Sequence, residues 1–506
     1  MSPRTTLALL STIAIASACG ARPSAAPSPA DAAPGSRSAL TRMIDSMVNA
    51  PEFRTAMWGV LIVDPVKHDT LYRHNAEKLF IPASNEKIVT SSVALEQLGP
   101  DYRFRTSIAA RGTLSNGTLT GDLAVVGRGD PTVSDHMKGD AMIPLRAIAD
   151  SLWQRGIRRI TGSVVPFGDA FPGPVAGAAW PWDGLDGASF AGVDELLFNE
   201  GLVSLHVRAG AKAGDLATVD TKPAKTFPQV RVLAKTVARV VEVDGGQLTA
   251  RQPRVTRVSA YHDTLTSGVI VRGQIAIGDT VTISLPQHDP DAAYVAALTE
   301  ALADRGIVVD HQASSWNEDP HADSLLTVLS VPLKEIMPAL MKPSQNQIAE
   351  VLLRTLGLEK GGLGTADSGR KVIARQFDAW KIPADGYVVR DGSGLSRSDL
   401  VSPETIVSLL DVMRRSPNFD LFFSSLPIAG VDGTIRTRMK ATPAQGNLRA
   451  KTGTLSMVRS LSGYVKTADG QLLEFSTLCN NWTTPQAAVD KVQDTIGAAL
   501  AQMKLR

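Results

Sequence analysis

Ser84 and Lys87 lie three residues apart at the start of a stretch that has the pattern of a helix. Residues at this spacing share one helix face, so the lysine amine can reach the serine hydroxyl and take its proton. A serine activated in this way is a nucleophile that can form a covalent intermediate. Apolar residues continue to Leu98, and Gly99-Pro100 ends the pattern, which predicts a buried helix of about four turns. We predict that this helix carries the nucleophile.

Two polar clusters downstream complete a pattern. Ser344-Gln345-Asn346 lies between two predicted helices, and the second cluster, on a predicted edge strand, is Lys451-Thr452-Gly453-Thr454. Taken alone, each cluster has a structural alternative, such as a helix-start serine, loop capping residues or a solvated charge on an edge strand. Together, Ser-x-x-Lys, Ser-x-Asn and Lys-Thr-Gly in that order are the signature of penicillin-recognising serine acyltransferases.

The chain resembles the D-alanyl-D-alanine carboxypeptidase/endopeptidases, which are the class C low-molecular-mass penicillin-binding proteins. Four further segments carry the resemblance: Gly127-Arg128-Gly129-Asp130-Pro131-Thr132, Trp180-Pro181-Trp182, Asp391-Gly392-Ser393-Gly394-Leu395-Ser396 and residues 426–434. The long insertion between the first two motifs also matches the family, whereas Gln345 stands where the family commonly has aspartate. The resemblance implies an α+β fold with a penicillin-recognising serine transferase (β-lactamase-like) catalytic domain, in which helices flank an antiparallel sheet, and a mostly β inserted accessory region.

The resemblance also implies an activity. It is serine-type D-Ala-D-Ala carboxypeptidase and/or DD-endopeptidase action on peptidoglycan stem peptides through a Ser84 acyl-enzyme, with β-lactam antibiotics such as penicillin as covalent inhibitors. Lys87 is then the general base, and Ser344 relays a proton to the leaving group. Asn346 is expected to hold Lys87 and the substrate backbone. Burial and the neighbouring cation of Lys451 are both expected to lower the pKa of Lys87.

The Lys-Thr-Gly strand is the implied substrate-binding element. Lys451 and Thr452 are expected to hold the terminal carboxylate of the substrate, with Gly453 beside them. The backbone N–H groups of Thr454 and Ser84 are the expected oxyanion hole.

Three further residues have two open interpretations. Asp391, Ser393 and Asp432 either flank the cleft functionally or form structural turns.

Other chemistries lack their motifs. The sequence has no Gly-x-Ser-x-Gly elbow, no His-Glu-x-x-His and no Walker loop, and none of the eight histidines lies in the three motifs. No metal and no other cofactor is predicted. Two alternatives stay open: a catalytically idle peptidoglycan-binding or scaffold protein of the same fold, and a β-lactamase. Residues 195–199 resemble the deacylating loop of class A β-lactamases, but they precede Ser344, whereas in those enzymes the loop follows the Ser-x-Asn motif.

The elements that must position these residues come from both ends of the chain. Strands are predicted at residues 57–63, 70–73, 448–454, 459–465 and 471–478, and a final helix is predicted from residue 485. They indicate one antiparallel sheet in an α+β domain. We assign residues 39–103 and 290–506 to the catalytic domain, and residues 104–289, with few convincing helices, to a β-rich insertion of two nested subdomains.

The first residues have the composition of an export signal. Residues 1–18 carry Arg4 and a short apolar run, and residues 19–38 are a flexible tether rich in Ala, Pro and Ser. The sequence around Cys19 resembles a bacterial lipobox, which favours a lipid anchor on Cys19, and the alternative is an ordinary signal peptide. We expect an exported protein of the periplasm or cell envelope. The formal net charge of +2, without a basic run, argues against a nucleic-acid partner.

Overall fold

The computed structural model describes residues 36–223, 228–238, 243–244, 247–248, 256–263, 268–311 and 321–505. The predicted signal peptide, most of the predicted tether and Cys19 lie outside these residues. Within the described part of the chain, no helix combines the length and the apolar character needed to span a bilayer.

The described residues form eleven α-helices and twenty-two strands, which are numbered in chain order. The helices are α1 (Arg37–Val48), α2 (Glu86–Leu98), α3 (Asp135–Lys138), α4 (Met142–Gln154), α5 (Pro290–Arg305), α6 (Leu333–Met341), α7 (Asn346–Gly361), α8 (Ala366–Ala379), α9 (Pro403–Arg415), α10 (Phe419–Ser425) and α11 (Gln486–Gln502). The strands are β1 (Met57–Asp64), β2 (Asp69–His74), β3 (Arg105–Ser115), β4 (Thr118–Val126), β5 (Arg159–Ile160), β6 (Val164–Pro166), β7 (Leu202–Arg208), β8 (Thr218–Lys222), β9 (Val230–Val232), β10 (Lys235–Val237), β11 (Val243–Asp244), β12 (Gln247–Leu248), β13 (Arg257–His262), β14 (Val269–Ala276), β15 (Thr280–Pro286), β16 (Val308–Val309), β17 (Asp323–Leu329), β18 (Tyr387–Val388), β19 (Leu400–Val401), β20 (Arg449–Leu455), β21 (Val458–Lys466) and β22 (Leu472–Asn480).

A five-stranded antiparallel sheet joins the two ends of the described chain. Its strand order is β2-β1-β22-β21-β20, so the first two strands pair with the last three through β1 and β22. The pairing runs from Met57 opposite Asn480 to Val63 opposite Glu474. The predicted antiparallel sheet from both chain ends is confirmed, and β20, which carries Lys-Thr-Gly, is its edge strand.

Successive side chains of a strand point to opposite faces of the sheet, and here both sets are largely apolar, so helices cover each face. On one face, α1 and α11 pack in a core with Trp58, Val60 and Phe475. On the other face, α2 lies among α6, α7, α8 and α9 in the largest core of the described chain. Cys479 lies buried in the first of these cores, where it packs as a small hydrophobic side chain. The helix that bears Lys87 is thus held on all sides by packed elements.

The insertion contains a second sheet with its own helices. Its strand order is β16-β5-β4-β3-β17, and β6 lies beside β4. Helices α4 and α5 pack on it in one core, where Leu145 and Leu152 meet Leu298 and Leu302. The sequence pattern predicted few helices in this region and did not indicate α4. Its Pro144 falls in the first turn, where the missing N–H does not break a helical hydrogen bond.

The packing differs from the sequence-based prediction at one domain boundary. We assigned residue 290 onwards to the catalytic domain, but α5, β16 and β17 belong to the inserted sheet and its core. The catalytic segment therefore resumes after Leu329. The apolar periodicity of α5 predicts that one of its faces is buried, but it carries no information about which sheet covers that face.

A smaller β unit lies within the insertion. One of its sheets has the order β15-β7-β8, and the other is formed by β9, β10, β13 and β14. The two sheets share a core whose central side chains come from β7 and β14, namely Val203, Leu205, Val207, Val269 and Val271. The chain enters this unit after the first inserted strands and leaves it at α5. The insertion therefore has two separate hydrophobic cores, and the segment that forms the smaller core lies within the segment that forms the larger one.

Candidate active site

Ser84, the predicted nucleophile, lies on a strained turn. Ala83–Asn85 forms a single 3-10 turn directly before α2, and Ala83 has a φ of +47°, which residues other than glycine rarely adopt. Gly394 packs against this turn so closely that a Cβ there would lie 1.9 Å from the Ala83 carbonyl oxygen. Ser84 therefore lies half-buried at the N-terminus of α2, and Lys87 lies on the same side of the helix.

Lys87 is buried, and its amine has three partners. The Lys87 Nζ lies 2.9 Å from the Ser84 Oγ, and it donates to the Asn346 Oδ1 at 2.7 Å and to the Ser393 carbonyl oxygen at 2.7 Å. A neutral amine has two N–H groups and one lone pair. When the amine is neutral, Asn346 and Ser393 can accept its two N–H groups, and its lone pair is then left to face the Ser84 hydroxyl. This is the arrangement that a general base requires.

Burial also sets the protonation of this amine. Burial lowers the pKa of Lys87 to about 7 because the charged form loses its hydration. Nearby carboxyl groups oppose this shift by favouring the charged amine, and they are, in order of effect, Asp391, Glu350, Glu86 and Asp399. A substantial fraction of Lys87 is therefore neutral near neutral pH.

Ser344 and Lys451 form a second pair. Ser344 has a φ of +67° in the turn before α7, and its Oγ accepts a hydrogen bond of 2.7 Å from the Lys451 Nζ. Lys451 is fully buried, and burial, followed by the charges of Lys87 and Arg459, lowers the pKa of its amine well below the usual range. A proton on one of the two lysines therefore disfavours a proton on the other.

The residue between Ser344 and Asn346 has a structural role. The Gln345 Oε1 accepts a hydrogen bond of 2.9 Å from the backbone N–H of Ile348, which caps the start of α7. An aspartate could accept the same bond, so the departure from the family pattern leaves the helix start capped.

Strand β20 lies directly against the turn that carries Ser84. A Cβ at Gly453 would lie 2.1 Å from the Ser460 Oγ and 2.4 Å from the Pro82 carbonyl oxygen, so only glycine permits this approach. The Thr452 and Thr434 hydroxyls are 2.7 Å apart, and Arg459 contacts the Thr454 hydroxyl. Three hydroxyl groups and a nearby guanidinium thus line one wall of the site.

A cleft of about 290 Å³ opens onto these groups. Its lining residues are Ser84, Ser189, Phe190, Ser344, Asn346, Leu395, Thr434, Thr452, Thr454 and Leu455. All three motifs meet here, although they are distant in sequence. Lys87 and Lys451 do not line the cleft, but their amines contact Ser84 and Ser344, which do.

The insertion supplies part of the cleft that the motifs did not indicate. The Asn346 Nδ2 donates to the Ser189 carbonyl oxygen at 2.9 Å, and the Phe190 ring packs edge-on against Trp180 at 5.7 Å. The Trp180 Nε1 in turn donates to the Asp391 Oδ2 at 2.8 Å. Trp180 belongs to a segment that carried the family resemblance, whereas Ser189 and Phe190 have no signal in a single sequence.

The three residues with open interpretations occupy structural positions. Asp391 is fully buried, and its carboxylate accepts from the N–H groups of Ser393, Gly394 and Ser396. Ser393 contributes its backbone carbonyl to Lys87. The Asp432 carboxylate accepts from the Lys342 Nζ at 2.6 Å and from the Ile428 N–H. None of the three side chains lines the cleft, so the structure favours the turn interpretation.

Comparisons with known proteins agree on one family. The family model described as the D-Ala-D-Ala carboxypeptidase 3 (S13) family matches residues 40–503. A D-alanyl-D-alanine carboxypeptidase of Actinomadura sp. (strain R39) is 31% identical over 497 residues, which cover 94% of this chain and 87% of that protein. The D-alanyl-D-alanine carboxypeptidase DacB of Haemophilus influenzae is 26% identical over 430 residues, which cover 81% of this chain and 82% of that protein.

A solved structure has the same fold. The crystal structure of penicillin binding protein 4 from Haemophilus influenzae is similar with a TM-score of 0.74 at 23% identity, and the match covers 92% of this chain and 99% of that chain. The same protein complexed with a β-lactam gives a TM-score of 0.71. The predicted α+β fold, with a penicillin-recognising catalytic domain and an inserted region, is confirmed.

Proposed function

This chain belongs to the D-Ala-D-Ala carboxypeptidase 3 (S13) family, and we propose that it cleaves the bond after the penultimate D-alanine of peptidoglycan stem peptides through an acyl-enzyme on Ser84. The observation that supports this most is the position of the Lys87 Nζ, which lies 2.9 Å from the Ser84 Oγ while Asn346 and Ser393 offer two acceptors, so that the neutral amine can turn its lone pair to the hydroxyl. Cross-links present the same D-alanine carbonyl, so DD-endopeptidase action follows from the same chemistry.

Acylation begins with a proton transfer. The Ser84 Oγ attacks the D-alanine carbonyl carbon while its proton passes to neutral Lys87, and the N–H groups of Ser84 and Thr454 stabilise the oxyanion. The charge gained by Lys87 further lowers the pKa of Lys451, which favours release of a Lys451 proton to Ser344. Ser344 gives its own proton to the leaving nitrogen, the C–N bond breaks, and D-alanine departs.

Deacylation reverses these proton movements. Neutral Lys451 accepts a proton from the attacking water through Ser344, and a C–O bond forms at the acyl carbon. Lys87 returns its proton to the Ser84 Oγ as the ester bond breaks. The shortened peptide leaves as a carboxylic acid, and both lysines recover their starting states, so one round consumes one water molecule.

The wall formed by β20 fits the substrate carboxylate. Thr452 and Thr454 line the cleft, and the Arg459 guanidinium contacts the Thr454 hydroxyl. Hydroxyl donors with a cation beside them can bind a carboxylate with charge-assisted hydrogen bonds. The carboxylate of a terminal D-alanine lies next to the scissile bond. Binding of this carboxylate to the wall therefore fixes the distance between the end of the peptide and Ser84.

Intact mass spectrometry of the processed protein after addition of benzylpenicillin tests the proposal. We expect a long-lived adduct that peptide mapping places on Ser84, together with release of D-alanine from a stem-peptide substrate. An adduct that disappears as the drug is hydrolysed would instead support a β-lactamase. No adduct and no D-alanine release would support an idle scaffold of the same fold.

The same spectrum tests the proposed location. We propose that the protein is exported to the cell envelope and tethered there by a lipid on Cys19, as the lipobox-like sequence around that residue suggests. A lipid-modified mass that begins at Cys19 is the expected result. A mass without lipid would instead indicate plain secretion.

The rate of acylation by a β-lactam should depend on pH through Lys87. The base acts only when neutral, and burial lowers its pKa to about 7, so the lysine becomes protonated and inactive as the pH falls below that value. We expect the second-order rate constant to fall about tenfold per pH unit on the acid side. Stopped-flow measurement between about pH 5 and 9 checks this, and a rate that stays constant throughout would contradict Lys87 as the base.

A further inference from the structure

We propose that Glu350 is a positioning residue for the reaction: its carboxylate fixes the backbone carbonyl of Ser393, which in turn directs the lone pair of Lys87 at Ser84. This inference rests on the proposed function, because it concerns the base that activates Ser84. Glu350 lies on α7, outside the three motifs, and touches neither the nucleophile nor the cleft.

The contact geometry is specific. One oxygen of the Glu350 carboxylate, Oε1, accepts from the Gly392 N–H at 3.0 Å and from the Ser393 N–H at 2.9 Å. Glu350 is only 3% exposed, and the Thr90 hydroxyl holds the other side of the same segment by donating to the Gly392 carbonyl oxygen at 2.8 Å. The two peptide groups on either side of Gly392 are therefore fixed. The Ser393 carbonyl belongs to the next peptide group, whose Gly394 N–H donates to the Asp391 Oδ1 at 2.6 Å, so Glu350 and Asp391 together hold it.

The side chain of Ser393 does not explain why this segment is held. Its Oγ is buried beside the Glu350 carboxylate and is not a partner of Lys87. The backbone carbonyl of Ser393, by contrast, accepts one of the two N–H groups of neutral Lys87. If this carbonyl shifts, that N–H loses its acceptor, and the lone pair no longer has a fixed direction toward Ser84.

A polar stripe on α7 organises the site. Asn346, Glu350 and Arg354 are spaced four apart, so they lie on one face of the helix. Asn346 accepts from Lys87, Glu350 holds the segment at Ser393, and the Arg354 Nη1 donates to the Phe171 carbonyl oxygen at 3.5 Å. This single face thus connects the base, the segment beneath it and the insertion.

The charge of Glu350 has a second, separable effect. Charged and titratable groups face Lys87 from α2, α7, β20 and the segment before β19, and they are Glu86, Glu350, Asp391, Asp399 and Lys451. An ionised carboxylate at position 350 favours the charged amine, so its removal lowers the pKa of Lys87. Burial raises the pKa of Glu350 itself to about 7, so this effect fades as the pH falls below that value. Position and charge can therefore be tested by different substitutions.

Two variants, Glu350→Gln and Glu350→Ala, separate these effects. The amide oxygen of glutamine can accept both N–H groups, so we expect E350Q to be acylated by benzylpenicillin within about threefold of the parent at its own optimum, with an acid limb that does not move to higher pH. Alanine leaves the Gly392 N–H without an acceptor and leaves the Ser393 N–H with only its 3.1 Å bond to Asp391, so the segment loosens and we expect E350A to be acylated at least about tenfold more slowly at every pH.

Glu359→Gln is the matched control, since Glu359 lies on the same helix but pairs with Arg128 far from the nucleophile. It should retain the parent pH profile. Parent-like acylation by E350A would overturn the inference, and so would a loss of rate in E350Q as large as that in E350A. If E350A does not fold, Glu350→Asp takes its place, because the shorter side chain keeps the charge but draws the carboxylate away from the two N–H groups, and parent-like acylation by that variant would overturn the inference. Failure of the unsubstituted protein to be acylated would refute the proposed function instead.

Discussion

The Ser84→Ala variant is expected to lose both acylation by benzylpenicillin and release of D-alanine. Alanine has no atom that can form the acyl-enzyme, and loss of an activated serine nucleophile typically lowers kcat by about 10⁴-fold or more. The contact of the Ser84 Oγ with Lys87 is the one side-chain hydrogen bond that the described residues show for it. The fold should therefore remain, which circular dichroism and thermal unfolding can verify.

A second serine on the same helix provides the control. The Ser92 Oγ is buried on α2 and has no hydrogen-bond partner among the described residues, so Ser92→Ala removes a hydroxyl from the helix without removing a contact. We expect this variant to be labelled at the parent rate. D-alanine release by Ser84→Ala above about one per cent of the parent rate would refute the nucleophile assignment.

The Lys87→Met variant is expected to lose most of the acylation rate while Ser84 remains in place. Methionine fills a similar volume but cannot accept a proton, and loss of a general base costs about 10²- to 10⁴-fold. We expect the upper part of this range because the described site offers Ser84 no second side-chain partner. Stopped-flow acylation and peptide mapping of any slow adduct are the measurements.

Lys87→Arg separates the charge of this residue from its basicity. Arginine keeps a cation near Ser84 but stays protonated under all practical conditions. If Lys87 acts as a base, this variant should be as slow as Lys87→Met. If Lys87 acts only through its charge, Lys87→Arg should recover activity, and a rate within about tenfold of the parent would contradict the proposed mechanism.

The motifs and the terminal strands could be predicted because their signals are local. The spacing of Ser84 and Lys87 gives a shared helix face, and the alternating runs near the C-terminus give β20, β21 and β22 to within two residues. The assembly of the three motifs around one cleft followed from their order and from a family resemblance. Residue spacing alone would not have brought Ser344 to Lys451.

Other features depend on packing that a single sequence does not record. The assignment of α5 to the inserted sheet is decided by a core shared with α4, and the cleft wall at Ser189 and Phe190 is placed by long-range contacts. One signal was present but unused. Glu350 and Arg354 continue the spacing of Asn346 along an otherwise apolar helix, and buried charged residues at this interval indicate a polar face with specific partners.

The joining of the two chain ends in one sheet has a consequence for folding. The Ile81 N–H donates to the Asn480 side chain across 399 residues, and β1 pairs with β22 at a similar separation. Contacts this distant in sequence form late and slowly, because a long loop must close first. During synthesis, the edge of β1 that later pairs with β22 is unpaired, and it can aggregate until the C-terminal strands have been made. The insertion, whose contacts are nearer in sequence, can fold first, so catalytic competence is acquired only when nearly the whole chain has been made.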